Sequence, residues 1–98
     1  MTISYHLQGV AFEWDEEKAR SNYDKHGVTF EEAAEAVLDP FAWPGDASVE
    51  GETRDSVLGY SLAPRLLLVV CVERATATRI ISARPATRAE RKAYEQPG

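Results

Sequence analysis

The polar side chains best suited to chemistry in this sequence stand where predicted secondary-structure elements end. They are Lys25, His26, Arg54, Glu73, Arg84 and Arg88. Histidine transfers protons near neutral pH, and a neighbouring lysine stabilises negative charge. Arg88 is predicted to open a helix, whose N-terminal N–H groups and dipole attract phosphate. The set therefore predicts proton transfer and phosphate binding.

Each of these residues also has a purely structural interpretation. Lys25 and His26 are ordinary residues for the last turn of a helix, where the dipole favours cations. Arg84 and Arg88 could form ion pairs with the acidic first helix. Aromatic side chains could stack on bases, but most aromatics fill cores and only exposed ones would count; the candidates are Phe12, Trp14, Tyr23, Phe30 and Trp43.

Several common kinds of site find no support in the sequence. The two histidines, His6 and His26, are far apart, and no His-x-x-His, CxxC or DxD spacing occurs. There is also no GxSxG elbow, GxGxxG turn or Walker-type loop. We therefore expect neither a metal nor an organic cofactor.

Charge is distributed unevenly along the chain. The formal net charge is −5, which by itself disfavours phosphate contacts. Residues 1–64, however, carry 4 basic and 13 acidic side chains, whereas residues 65–98 carry 7 basic and 3 acidic ones. Such asymmetry indicates contact with nucleic acid, although an ordinary solvated surface would produce the same pattern.

Local patterns predict the order β-α-α-(β)-β-β-β-α. Residues 1–9 lack a clear period and are expected to be a frayed or extended lead-in. Capping residues mark the helices: Asp15 and Gly27 bound the first, while Thr29 with Glu32 and Thr87 with Glu90 form capping boxes. The predicted strands cover residues 10–14, 56–62, 65–73 and 78–84, the predicted helices 15–26, 29–38 and 87–94, and residues 41–51 form an edge strand or loop before the meander.

These elements predict one α+β domain over residues 1–98, in which an antiparallel meander packs against two N-terminal helices and a short C-terminal helix. Pro97 and Gly98 end the last helix. Cys71 lies in an apolar run and is expected to be a small buried hydrophobe. The N-terminus has no leader pattern and no apolar run reaches the roughly 20 residues of a membrane span, so we expect a cytoplasmic protein without membrane contact.

Two blocks of the sequence resemble the BrnT toxin family. The first joins Phe12-Glu13-Trp14-Asp15-Glu16-Glu17-Lys18-Ala19 to Asn22-x-x-Lys25-His26-Gly27-Val28-x-Phe30-Glu31-Glu32-Ala33. The second joins residues 65–74 to Arg79-Ile80-Ile81-Ser82-Ala83-Arg84-Pro85-Ala86-Thr87-Arg88-x-Glu90-Arg91. Together they cover the chain from about residue 12 to residue 95.

The resemblance implies a RelE-like fold and a metal-independent ribonuclease that arrests translation. It also implies a BrnA-like ribbon-helix-helix antitoxin, through which alone operator DNA would be bound. Family function maps onto the six polar residues named above, with His26 or Glu73 as the proton-transfer group and Lys25, Arg54, Arg84 and Arg88 around the RNA phosphate. The alternative is a non-catalytic module that docks a DNA-binding partner for operon autoregulation.

Overall fold

The computed structural model describes residues 1–96 and divides them into six strands and three helices. The strands are β1 Thr2–Leu7, β2 Val10–Asp15, β3 Trp43–Asp46, β4 Asp55–Tyr60, β5 Leu66–Glu73 and β6 Thr78–Pro85. The helices are α1 Glu16–His26, α2 Phe30–Val37 and α3 Arg88–Glu95. The expected ending at Pro97 and Gly98 lies outside the described residues.

The strands form one sheet in the order β1-β2-β6-β5-β4-β3. The predicted meander is present as β4-β5-β6, and β3 is an edge strand. The expectation of an antiparallel sheet is wrong at one pairing, because β2 runs parallel to β6 through Phe12↔Thr78 and Glu13↔Arg79. An alternating pattern shows that a segment is a strand but carries no sign of a partner far along the chain.

The expected lead-in is a strand in the structure. β1 pairs with the whole of β2, and its half-buried residues Ile3, Tyr5 and Leu7 pack against the core. The two strands are joined by Gln8 and Gly9, both with positive φ (51° and 77°), as a two-residue hairpin turn of the primed type requires. Gln-Gly is a weaker turn signal than Asn-Gly, and the hairpin was missed for that reason.

The helix ends follow the capping residues. Asp15 accepts a hydrogen bond from the Lys18 N–H (3.0 Å), and Gly27 ends α1 with φ of 67°. Thr87 and Glu90 form the complete predicted capping box of α3. At α2 only the Thr29 half forms, because the Glu32 carboxylate binds Arg65 and Ser61 instead.

The core lies between the sheet and the first two helices. Its buried members come from β2, the turn after α1, α2 and the meander, and they are Phe12, Trp14, Val28, Phe30, Ala33, Ala34, Ala36, Leu67, Val69, Ile80 and Ala83. Helix α3 lies on the other face, where Tyr94 packs edge-on against Tyr60 at 5.3 Å between ring centroids. Among residues 1–96, no helix is long and apolar enough to cross a membrane.

Candidate functional site

A cleft of about 210 Å³ lies between α1 and β6. Its lining is Lys18, Ser21, Asn22, Lys25, His26, Ile81 and Ser82. Two lysines, a histidine and two hydroxyl groups therefore face it, and none of these lining residues carries a carboxylate. On a protein whose net charge is −5, this is a local surface suited to an anion.

Helical spacing brings the α1 residues to the cleft. Lys18, Ser21 or Asn22, and Lys25 follow one another at intervals of three or four residues, which places them on one side of the helix. His26 extends the row into the last turn, where Gly27 ends the helix. Within residues 1–96, neither Lys18 nor Lys25 forms an ion pair, so both ammonium groups are available to a ligand.

A β-bulge shapes the opposite wall. β5 and β6 pair Val70 with Ser82 and Cys71 with Ile80, which leaves Ile81 as an extra residue in β6. Bulges bend a strand and redirect its side chains, and here the bulge turns Ile81 and its neighbour Ser82 toward α1.

Asn22 joins the two walls. It is 6% exposed, and its amide accepts a hydrogen bond from the Ala83 N–H (3.1 Å) while donating to the Ala83 carbonyl (2.8 Å) and the Val28 carbonyl (3.1 Å). β2 pairs with β6 only as far as Arg79. Beyond that residue, the Asn22 amide takes the place of a neighbouring strand.

Arg84 lies two residues beyond Ser82 and on the same face of β6, about 7 Å along the strand. Its guanidinium donates to both carboxylate oxygens of Glu90 in α3 (2.8 and 2.9 Å), not to the acidic first helix. The hydrogen bonds from Arg84 lower the pKa of Glu90 to about 2. Arg88 is exposed in the first turn of α3, where the capping box already uses the N–H groups of Thr87 and Glu90.

Arg54 and Glu73 lie at the other end of the sheet. Glu73 pairs with Thr78 and accepts a hydrogen bond from its hydroxyl (2.7 Å). Since Thr78 precedes Arg84 by six residues, the two ends are about 20 Å apart along the strand. Arg54 binds Glu52 (3.1 Å) in the loop before β4. The structure thus places Lys25 and His26 in the cleft, Arg84 two residues beyond Ser82 of its β6 wall, and Arg88 in the adjoining helix α3. By contrast, Arg54 and Glu73 lie at the opposite end of the sheet from Arg84.

Sequence reasoning missed part of the cleft. Lys18, Ser21 and Ser82 were not singled out, although the three-to-four spacing back from Lys25 could have identified the first two. The contacts of Arg65 were also missed. Its guanidinium binds Glu32 through two donors and donates a hydrogen bond to the Gly27 carbonyl (2.9 Å) at the end of α1.

The aromatic side chains divide into buried and exposed groups. Phe12, Trp14 and Phe30 are buried in the core, whereas Tyr23 is 54% and Trp43 45% exposed. Neither exposed ring lines the cleft. Within residues 1–96, no three His, Cys, Asp or Glu side chains come together as a metal site would require.

Comparison with known proteins identifies a matching family and a similar solved structure. The sequence model of the family described as "Ribonuclease toxin, BrnT, of type II toxin-antitoxin system" matches residues 14–90. The crystal structure of the Brucella abortus ribonuclease toxin BrnT is similar with a TM-score of 0.62 and 26% identity, over 76% of this chain and 94% of that chain. A search of curated proteins finds no match.

Proposed function

The chain belongs to the BrnT family of ribonuclease toxins of type II toxin–antitoxin systems, and on that premise we propose that it cleaves RNA without a metal ion at the cleft between α1 and β6. In this proposal residues 1–98 act as one RelE-like toxin domain. Cleavage of RNA in the cytoplasm arrests translation. A BrnA-like ribbon-helix-helix antitoxin neutralises the toxin and alone connects it to operator DNA.

The observation that carries the proposal is the charge of the cleft. Lys18, Lys25 and His26 converge there with the Ser21 and Ser82 hydroxyls, on a molecule that is acidic overall. A phosphodiester needs cations and hydrogen-bond donors, and the lining consists of both apart from the apolar Ile81. The clustered cations also explain how an acidic protein could bind RNA.

In the proposed reaction the 2′-OH of the RNA loses its proton and attacks the adjacent phosphorus. The P–O5′ bond breaks, and the 5′ oxygen leaves with a proton. His26 takes part in proton transfer, while the lysines stabilise the charge that develops on the phosphorus oxygens. Arg84 binds the same phosphate or its neighbour in the bidentate manner that a guanidinium allows. Arg88 contacts the RNA flank, and two residues have no part in this step: Glu73, about 20 Å from Arg84 along the strand, and Arg54, which is bound to Glu52.

Arg84 must exchange one carboxylate partner for another anion in order to bind RNA. Its bidentate contact with Glu90 has the geometry that a phosphate would take. Glu90 therefore holds the guanidinium in a defined position until a phosphate replaces it. Removing Glu90 and removing Arg84 should have opposite effects on RNA binding.

Incubation of the purified chain with total RNA in EDTA tests the proposal. The parent is expected to cleave, Arg84→Ala and Lys25→Gln to lose at least about 100-fold in rate, and Glu90→Gln to retain cleavage although it also breaks the Arg84 contact. Arg20→Gln is the matched control for Lys25, since Arg20 is exposed on α1 but does not line the cleft.

A substrate with a 2′-deoxy sugar at the scissile position should resist cleavage, because the nucleophile is absent. Cleavage of that substrate would contradict the mechanism. If the folded parent leaves total RNA intact, and Arg84→Ala instead disrupts a complex with the antitoxin, the chain is a binding module rather than a nuclease.

A further inference from the structure

One buried amide connects the two walls of the proposed site. Asn22 belongs to α1, whose residues Lys25 and His26 follow it by three and four positions. Its amide binds the backbone of Ala83, the residue between Ser82 and Arg84. We infer that Asn22 is a positioning residue that fixes α1 against β6, so that His26 and Arg84 can act on one phosphodiester.

The hydrogen-bond geometry makes the connection specific. Asn22 uses one acceptor and one donor on the same residue, Ala83, as a neighbouring strand would. Its second donation, to the Val28 carbonyl, ties the turn after α1 to the same point. Movement of α1 along β6 would break both contacts to Ala83 together, so the amide defines the position of the helix along the strand.

This location is also where the sheet gives no other support. β2 pairs with β6 only at Thr78 and Arg79. The segment around Ala83 therefore has β5 on one side and Asn22 on the other. A buried backbone N–H without a partner is costly, and loss of the amide would allow α1 and β6 to separate to admit water.

A residue that positions two walls has a kinetic signature different from one that only stabilises the fold. Each wall alone can still bind RNA, so KM should change little. Loss of the Asn22 amide should prevent the α1 and β6 walls from contacting the transition state at the same time. A misplacement of about 1 Å can lower the rate of the chemical step by about 100-fold. The inference rests on the proposed function, because it concerns residues assigned to RNA cleavage.

The test compares Asn22→Ala and the milder Asn22→Ser with Phe12→Leu. Phe12 is buried in the core and does not line the cleft. Its substitution lowers stability but leaves Asn22 and its hydrogen bonds to Ala83 in place. All variants are assayed at a temperature where circular dichroism shows them folded. We expect kcat to fall about 10- to 100-fold for Asn22→Ala and less for Asn22→Ser, with KM within about threefold of the parent.

Amide hydrogen exchange supplies a readout that does not depend on cleavage. In Asn22→Ala, exchange of the Ala83 amide and its neighbours should accelerate more than that of the rest of the sheet. In Phe12→Leu the increase should follow global stability. Equal kcat losses in Asn22→Ala and Phe12→Leu would overturn the inference, as would exchange at residues 82–84 no faster than elsewhere.

The two levels of failure can be told apart. A folded parent that does not cleave RNA contradicts the proposed function, and hydrogen exchange at residues 82–84 then decides alone whether Asn22 holds the walls together. A parent that cleaves RNA, with Asn22→Ala as active as Phe12→Leu, leaves the function in place and removes Asn22 from it.

Discussion

Gly59 shows how one missing side chain sets the position of a helix. A Cβ added there would lie 2.2 Å from the Ala36 carbonyl oxygen, which is backbone of α2 and cannot rotate away. The absence of a side chain thus lets α2 lie directly on β4. Because α2 packs on the core side of the sheet, its position stabilises the sheet that contains β6, one wall of the cleft.

Gly59→Ala should therefore destabilise the protein by about 2–3 kcal/mol, since overpacking a tight contact forces the backbone to move. Gly45→Ala is the matched control: the new Cβ would meet only the Ser56 hydroxyl, at 2.6 Å, and that side chain can rotate. Urea unfolding of both variants measures the difference. Equal midpoints for the two would show that α2 is not held at the distance described.

At the scale of elements, α3 is attached mainly through polar contacts. Arg84 binds Glu90, Arg91 donates to the Tyr60 hydroxyl (3.1 Å), and the Tyr94 hydroxyl donates to Asp39. Burial, together with the bond to Asp39, raises the pKa of Tyr94 to about 12. The helix is thus held by charge and hydrogen bonds, which makes its attachment sensitive to pH.

Acid should loosen α3 before it unfolds the rest of the protein. The folded-state pKa of Glu90 is about 2, below its ordinary value of 4.5, so its contribution to stability is complete above pH 4.5 and is lost as the pH falls toward 2. The protection factors of the α3 amides, measured by NMR between pH 5 and 2 and corrected for the intrinsic exchange rate at each pH, should fall through this window.

Glu90→Gln provides the control for this titration. It removes the carboxylate, so the amides of α3 should already exchange faster at neutral pH and should show a weaker dependence on acid. An acid response as large in Glu90→Gln as in the parent would show that other carboxyls hold the helix.

At the scale of the whole molecule, three of the seven cations of the basic half are paired with acidic residues of the other half or of α3. Arg65 binds Glu32, Arg79 binds Glu13 and Arg84 binds Glu90. Folding therefore neutralises part of the charge asymmetry of the sequence. The two lysines of the cleft are among the cations outside these ion pairs, on a molecule with a formal net charge of −5.

The salt dependence of RNA binding should show how many phosphates Lys18, Lys25 and Arg84 contact. With Lys18, Lys25 and Arg84 each contacting one, the logarithm of the binding constant for a 2′-deoxy-substituted RNA should fall with log salt at a slope of about −2. Lys18→Gln should reduce the slope by about 0.7, and Arg20→Gln should leave it unchanged. Fluorescence anisotropy across a salt series measures it; a slope near zero in the parent would contradict contact with phosphate.

The sequence by itself determined the features that depend on residues a few positions apart. Asp15 and Gly27 bound α1, Thr87 and Glu90 cap α3, and the apolar run of β5 lies at the centre of the meander. These signals are local because caps and alternation involve near neighbours. The position of Lys25 and His26 at the end of a helix was predicted for the same reason.

Only the tertiary structure decided which helix and strand ends lie close together in the fold. Asn22 and Ala83 are separated by 61 positions, and β2 pairs with β6 across the entire meander. Such contacts depend on packing of the whole chain, so neither the parallel pairing of β2 with β6 nor the contact of α1 with β6 can be recognised in the local sequence. The cleft forms only where α1 packs against β6. Local sequence predicts each of these elements, but the contact between them depends on the packing of the whole chain.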